Sequence, residues 1–167
     1  GVDSTIVRAS WFSQNFSEGA FLDLVVCGEV ALPAGSVKEP FIDADDIADV
    51  AVAALTESGH AGQVYEVTGP RPLTFAEAVA EIAEAAGRPI RYVQIPMEAF
   101  VGGLAQAGIP ADYIELLKYL FTTVLDGRNE EVADGVQRAL GRPPRDFREY
   151  AKSVAATGVW NARSQGT

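Results

Sequence analysis

Among the 167 residues there is one cysteine, Cys27, one histidine, His60, and one methionine, Met97. A lone cysteine excludes an intramolecular disulfide and fits a reducing compartment, so a cytoplasmic protein is expected. Zinc sites need several His, Cys or carboxylate ligands at suitable spacing, and neither Cys27 nor His60 has a second of its kind. A Ser-His-Asp arrangement would have to use His60, which sits in the turn Gly59-His60-Ala61-Gly62 with no G-x-S-x-G elbow. No metal and no catalytic triad is expected. Basic residues are also scarce, 13 against 23 acidic, and the net charge of -10 makes nucleic acid and anionic membrane surfaces poor partners. No apolar run is long enough to span a bilayer, and no signal peptide is evident. The phosphate-cradling loops G-x-G-x-x-G and G-x-x-x-x-G-K-[ST] are both missing.

What is present is enough apolar residue, 48%, to build a substantial core. Ser4-Thr5-Ile6-Val7 reads as a strand covered on both faces, delivering Ser10, Trp11, Phe12, Asn15 and Phe16 past its carboxyl end, where open α/β sheets bind ligands. Trp11, Phe12 and Asn15 there are either a hydrophobic staple on the following helix or the wall of a pocket. A helix with a broken tail is expected from Phe12 to Val26, then an extended piece over Glu29–Leu32. Ile47, Val50, Ala51, Ala54 and Leu55 give the apolar face of an amphipathic helix. The acidic group Asp43, Asp45, Asp46 and Asp49 at its start reads as helix capping in preference to a magnesium site. Cys27 is expected to be a small buried residue and His60 to be solvated.

Val64–Val67 reads as a strand parallel to the first. Thr74 and Glu77 have capping-box spacing for a helix closed by Gly87, and Ile90–Ile95 alternates as a semi-exposed strand. Beyond Met97 the β signals stop. Tyr113, Leu116, Leu117, Leu120, Phe121 and Val124 form a stripe read as core, Asn129–Leu140 is a weaker helix, and Asp146 with Glu149 caps a last one. The expected architecture is α/β over residues 1–96 and helical over 97–167, as a single unit.

The runs Ile6–Phe16, Pro40–Ala48, Gln63–Pro70 and Leu140–Phe147 resemble the C-terminal half of NmrA-like atypical short-chain dehydrogenases, nearest the branch of festuclavine and agroclavine dehydrogenases. That resemblance implies part of a Rossmann-like parallel sheet plus a helical substrate-side lobe, with NAD or NADP as cofactor. It also implies a glycine-rich dinucleotide loop in an N-terminal half that this chain does not contain. Entry into a strand directly after Gly1 agrees with a second portion, whose partners would be that N-terminal half or a second copy, and a small-molecule substrate. Ser10, Trp11 and Asn15 would border the cofactor, and Trp11, Phe12, Asn15 and Phe16 the substrate. No Tyr-x-x-x-Lys pair occurs, which hydride addition to a cationic iminium tolerates because no proton donor is needed. The intact protein would then reduce a small iminium, quinone or carbonyl compound, and the chain alone would be inactive. The other readings are a non-catalytic NAD(P)-sensing regulator and a stand-alone ligand-binding module.

Overall fold

The computed structural model describes residues 3–162. Its β-branched runs pair in parallel. β1 (Ile6–Ala9) lies beside β4 (Val64–Val67) in the register Ile6 to Val64, and β2 (Glu29–Leu32) lies beside β6 (Arg91–Gln94). A short antiparallel pair joins β3 (Lys38–Glu39) to β5 (Leu73–Thr74). Between them run the helices α1 (Leu22–Cys27), α2 (Ala44–Thr56) and α3 (Phe75–Ala86). Among the described residues every element from Met97 on is helical: α4 (Met97–Gln106), α5 (Ala111–Tyr119), a π-helical turn over Leu120–Val124, α6 (Gly135–Leu140) and α7 (Phe147–Ala156). The fold is α/β, and the change to helix falls where the β signals end.

Local signals fix α3 at both ends. Thr74 Oγ1 accepts from the Glu77 N–H while the Glu77 carboxylate accepts from the Thr74 N–H, and Gly87 closes the helix at a positive φ of 63°. Its buried face of Ala78, Val79 and Ile82 packs against α7 and β6. The core there is aromatic. Phe16 has no exposed surface and lies 5.3 to 5.8 Å, centroid to centroid, from Phe21, Phe41 and Phe147, while the Trp160 indole N–H donates to the Phe16 carbonyl at 2.8 Å. A smaller cluster of Ile42, Val50, Tyr65, Val67 and Val136 lies between α2, β4 and α6.

Several expectations are corrected. β1 is not covered on both faces: Ile6 is 47% exposed, and β1 and β4 pair only with each other among the described residues. The segment after it is not one helix with a frayed end. It is a 3-10 turn over Ser13–Phe16, then α1, with the break at Gly19, where a Cβ would sit 3.0 Å from the Asn15 Cα. Leu55 is 86% exposed because the buried stripe of α2 runs through Asp46, Val50 and Ala53. Cys27 is exposed, since the short helix α1 turns Val25 and Val26 inward and leaves its last residue outside. His60 is buried, with Nδ1 2.8 Å from the Tyr65 hydroxyl and its carbonyl accepting from Thr5 Oγ1 at 2.7 Å. Helix α6 begins only at Gly135. The stretch before it is held along β4, with the Ala133 N–H donating to Thr68 Oγ1, and a Cβ at Gly135 would meet the Glu66 carbonyl oxygen at 2.1 Å.

Candidate functional site

β1 and β4 end together, and a cavity of about 730 Å³ opens beyond their carboxyl ends. This is the end of a parallel sheet at which α/β proteins hold their ligands, because strand ends and the loops after them leave a crevice there. Ala9 of β1 with Ser10 just past it, and Glu66 of β4 with Thr68 just past it, reach it, and the loop after β1 supplies Trp11, Phe12 and Asn15. Tyr113, Leu117, Leu120 and Val124 close the helical side. The stripe read as core therefore divides: Leu117 and Phe121 are buried, Tyr113 and Leu116 are about half exposed, and the cavity-lining Leu120 and Val124 belong to the π-helical turn. The turn is closed by the Leu125 N–H donating to the Leu120 carbonyl at 2.9 Å, a five-residue step that re-aims side chains, and such turns recur at functional sites.

The loop bearing Trp11 is held rigidly. The Ile42 N–H donates to the Trp11 carbonyl at 2.9 Å, and the Ser13 N–H donates to the Ile42 carbonyl at 2.8 Å. Gln14 reaches across to the start of α2, where Asp43 caps the helix by accepting from the Asp45 N–H. Trp11 stands edge-on to Phe75 at 5.4 Å and against Phe121 at 5.5 Å, so its ring is a fixed apolar wall. Ser10 is an anchor: its hydroxyl donates to the Pro40 carbonyl at 2.6 Å. Asn15 makes backbone hydrogen bonds to Phe12 and Phe21, whereas its side-chain amide has no partner among the described residues. Phe12 is 44% exposed at the rim. Of the residues expected to touch a substrate, Phe16 is placed elsewhere, in the aromatic core behind the loop.

The wall also carries a group the sequence reading passed over. Glu39 of β3 has no exposed surface, and neither carboxylate oxygen has a hydrogen-bond partner among the described residues. Burial, with the nearby Glu130 and Asp126 carboxylates adding to it, pushes its pKa up to about 7. The cations around it are occupied. Arg8 donates to Glu66 at 3.1 Å, and Arg128 pairs with Asp126, whose carboxyl is held down at about 2 by that guanidinium. One signal could have found Glu39: it lies between Val37 and Phe41 at two-residue steps, on the inward side of an extended stretch.

The acidic group at the start of α2 is tied to the chain itself. Asp46 is fully buried and pairs with Arg142 at 2.8 Å and with Arg145, and Asp49 pairs with the same two arginines. Asp146 caps α7 through the Arg148 N–H and holds Arg71, with Nε–Oδ2 at 2.7 Å and Nη2–Oδ1 at 2.8 Å. Among the described residues no helix is long and apolar enough to cross a membrane.

Residues 1–151 match the NmrA-like family. The chain is 40% identical over 156 residues to an NAD(P)H azoreductase of Xenophilus azovorans, covering 93% of this chain and 54% of that protein. It is 31% identical over 166 residues to the agroclavine dehydrogenase of Claviceps fusiformis, covering 98% of this chain and 57% of that one. Among solved structures it superposes on the NADPH-dependent quinone oxidoreductase of Escherichia coli, complexed with NADPH, with a TM-score of 0.80 at 23% identity, over 92% of this chain and 54% of that one. The chain thus spans about half the length of the curated relatives it matches.

Proposed function

This chain belongs to the NmrA-like family, and we propose that it is the C-terminal, substrate-side portion of an NAD(P)H-dependent oxidoreductase. The intact protein reduces a small quinone, carbonyl, azo or iminium compound by hydride transfer. The observation that carries the reading is the cavity beyond the carboxyl ends of β1 and β4, with Trp11 as a fixed wall and, at its side, an Asn15 amide that has no partner among the described residues. The names of the relatives, an azoreductase and a clavine dehydrogenase, agree with it.

The residues present fit one end of a dinucleotide. Trp11 offers a flat apolar face, and Asn15 offers both a donor and an acceptor to a carboxamide or a substrate heteroatom. No glycine-rich phosphate loop occurs in the sequence, so the pyrophosphate would be held outside this chain. NADP or NAD, when bound, supplies the hydride. Ser10 fixes the loop, Trp11 and Phe12 exclude water from the acceptor, and Asn15 orients it. The half-exposed Ile6 and the strand β1, which pairs with β4 alone among the described residues, suit docking of further sheet, either the N-terminal half or a second copy. The single cysteine suits a cytoplasmic setting.

Steady NADPH oxidation by the full-length protein, offered a panel of quinones, azo dyes and iminium salts, tests the reading. Turnover that falls on replacing Trp11 by Ala is the expected result. Tight dinucleotide binding with no turnover on any acceptor would favour a redox-sensing regulator instead.

A further inference from the structure

Glu39 is the group in the cavity wall with the least to do in the structure and the most chemistry to offer. Its carboxyl has no exposed surface, and both oxygens lack a partner among the described residues. A buried carboxylate without a hydrogen bond or a cation is costly, and the cheapest relief is to keep its proton. The charged groups facing it reinforce this. Glu130 and Asp126 repel the ionised form, while Arg8 and Arg128, on the same wall, are neutralised by Glu66 and Asp126. Lys38, next in sequence, turns away on the exposed side of the short strand β3. Kept neutral, Glu39 holds one O–H donor with no acceptor among the described residues, beside a space sized for a small molecule.

We propose that Glu39 is the proton donor of the site, and that the acceptor is therefore an uncharged double bond ending in nitrogen or oxygen. This inference rests on the oxidoreductase reading and narrows its substrate class. For an azo compound, hydride from the reduced nicotinamide forms a new N–H bond at one nitrogen, and the N=N π bond breaks. Glu39 gives its proton to the other nitrogen, which has gained the electron pair. The acceptor is reduced by two electrons to the hydrazo compound, the nicotinamide is oxidised, and the Glu39 carboxylate takes its proton back from water that enters the cavity as the product leaves. For a carbonyl the hydride goes to carbon and the Glu39 proton to oxygen. A cationic acceptor takes hydride alone and makes no use of Glu39. The carboxyl thus does the work for which the chain has no Tyr-x-x-x-Lys pair.

The test uses the full-length protein with NADPH and two probes, the neutral dye 4-aminoazobenzene and the cation crystal violet. For the wild type, kcat/KM with the azo dye is expected to fall as pH rises past about 7, whereas that with crystal violet stays level. Glu39→Gln should lower the azo rate by about a hundredfold and leave the crystal violet rate within about threefold, which also shows that the variant is folded. Independently of turnover, the infrared difference spectrum of wild type minus Glu39→Gln should carry a protonated-carboxyl C=O band near neutral pH. Absence of that band, a flat wild-type azo pH profile, or an unchanged azo rate in the variant would each overturn the proposal while the oxidoreductase reading stands. Failure to turn over either dye or any other acceptor would overturn both.

Discussion

Gln14 grips the start of α2 with both ends of its amide: Nε2 donates to Asp43 Oδ1 at 2.8 Å, and Oε1 accepts from the Ala44 N–H at 2.9 Å. Asp43 is the residue that caps that helix, so one side chain ties the loop bearing Trp11 and Asn15 to a rigid element. Gln14→Ala removes two partly buried hydrogen bonds and leaves the Ala44 N–H unpaired. Urea unfolding should show a loss of about 1–2 kcal/mol, with an unchanged m-value. An unchanged midpoint would mean that the loop is held by its backbone bonds alone.

Glu39 gives stability a distinctive pH dependence. Its folded pKa lies above the ordinary 4.5, at about 7, so the folded state binds the extra proton between these values. Stability is then greatest below the ordinary value, falls as pH rises toward about 7, and is level above it. Glu39→Gln removes the ionisable group. The variant should match the wild type at low pH and exceed it by up to about 3 kcal/mol in mildly alkaline buffer. Parallel pH profiles for the two proteins would show that the carboxyl ionises freely in the fold.

Two neighbouring carboxylates should respond very differently to neutralisation. Asp46 is fully buried between Arg142 and Arg145, and its Oδ2 also accepts from the Arg145 N–H at 2.7 Å, whereas Asp49 is 46% exposed while contacting the same arginines. Asp46→Ala should cost about 3 kcal/mol, the low end for a broken buried pair because both guanidinium groups keep some water. Asp49→Ala should cost less than about 1 kcal/mol, as exposed pairs do. Equal losses in thermal or urea unfolding would contradict the assigned burial.

Asn15 separates binding from folding. Its amide has no side-chain hydrogen bond to lose among the described residues, so Asn15→Leu should leave the unfolding midpoint nearly unchanged. In the full-length protein kcat/KM for the acceptor should fall about ten- to a hundredfold, as expected when a positioned polar group is lost from a site. A large drop in stability with intact kinetics would instead make Asn15 a structural residue.

How much of this was legible in the sequence depends on how far apart the deciding residues lie. The termini of α3 were readable because Thr74, Glu77 and Gly87 act within their own helix, and the pairing of Val64–Val67 with the first strand followed from the intervening helix. The place of the cavity past β1 was readable for the same reason. Contacts across the fold were not. His60 is buried because Tyr65 and Thr5 meet it, and Phe16 left the site for the core because Phe41, Phe75 and Phe147 surround it. Glu39 was hidden for another reason: its chemistry comes from partners it lacks, and sequence does not record a missing hydrogen bond.

The central claim is that the space beyond β1 and β4 receives the nicotinamide and the acceptor together, and a crystal structure of the full-length protein with NADP and a bound acceptor analogue tests it most directly. The account predicts the nicotinamide ring and the analogue in mutual contact between Trp11 and Asn15, with Glu39 turned toward the analogue. A ring bound away from these residues, with the cavity filled by the protein's own side chains, would contradict it.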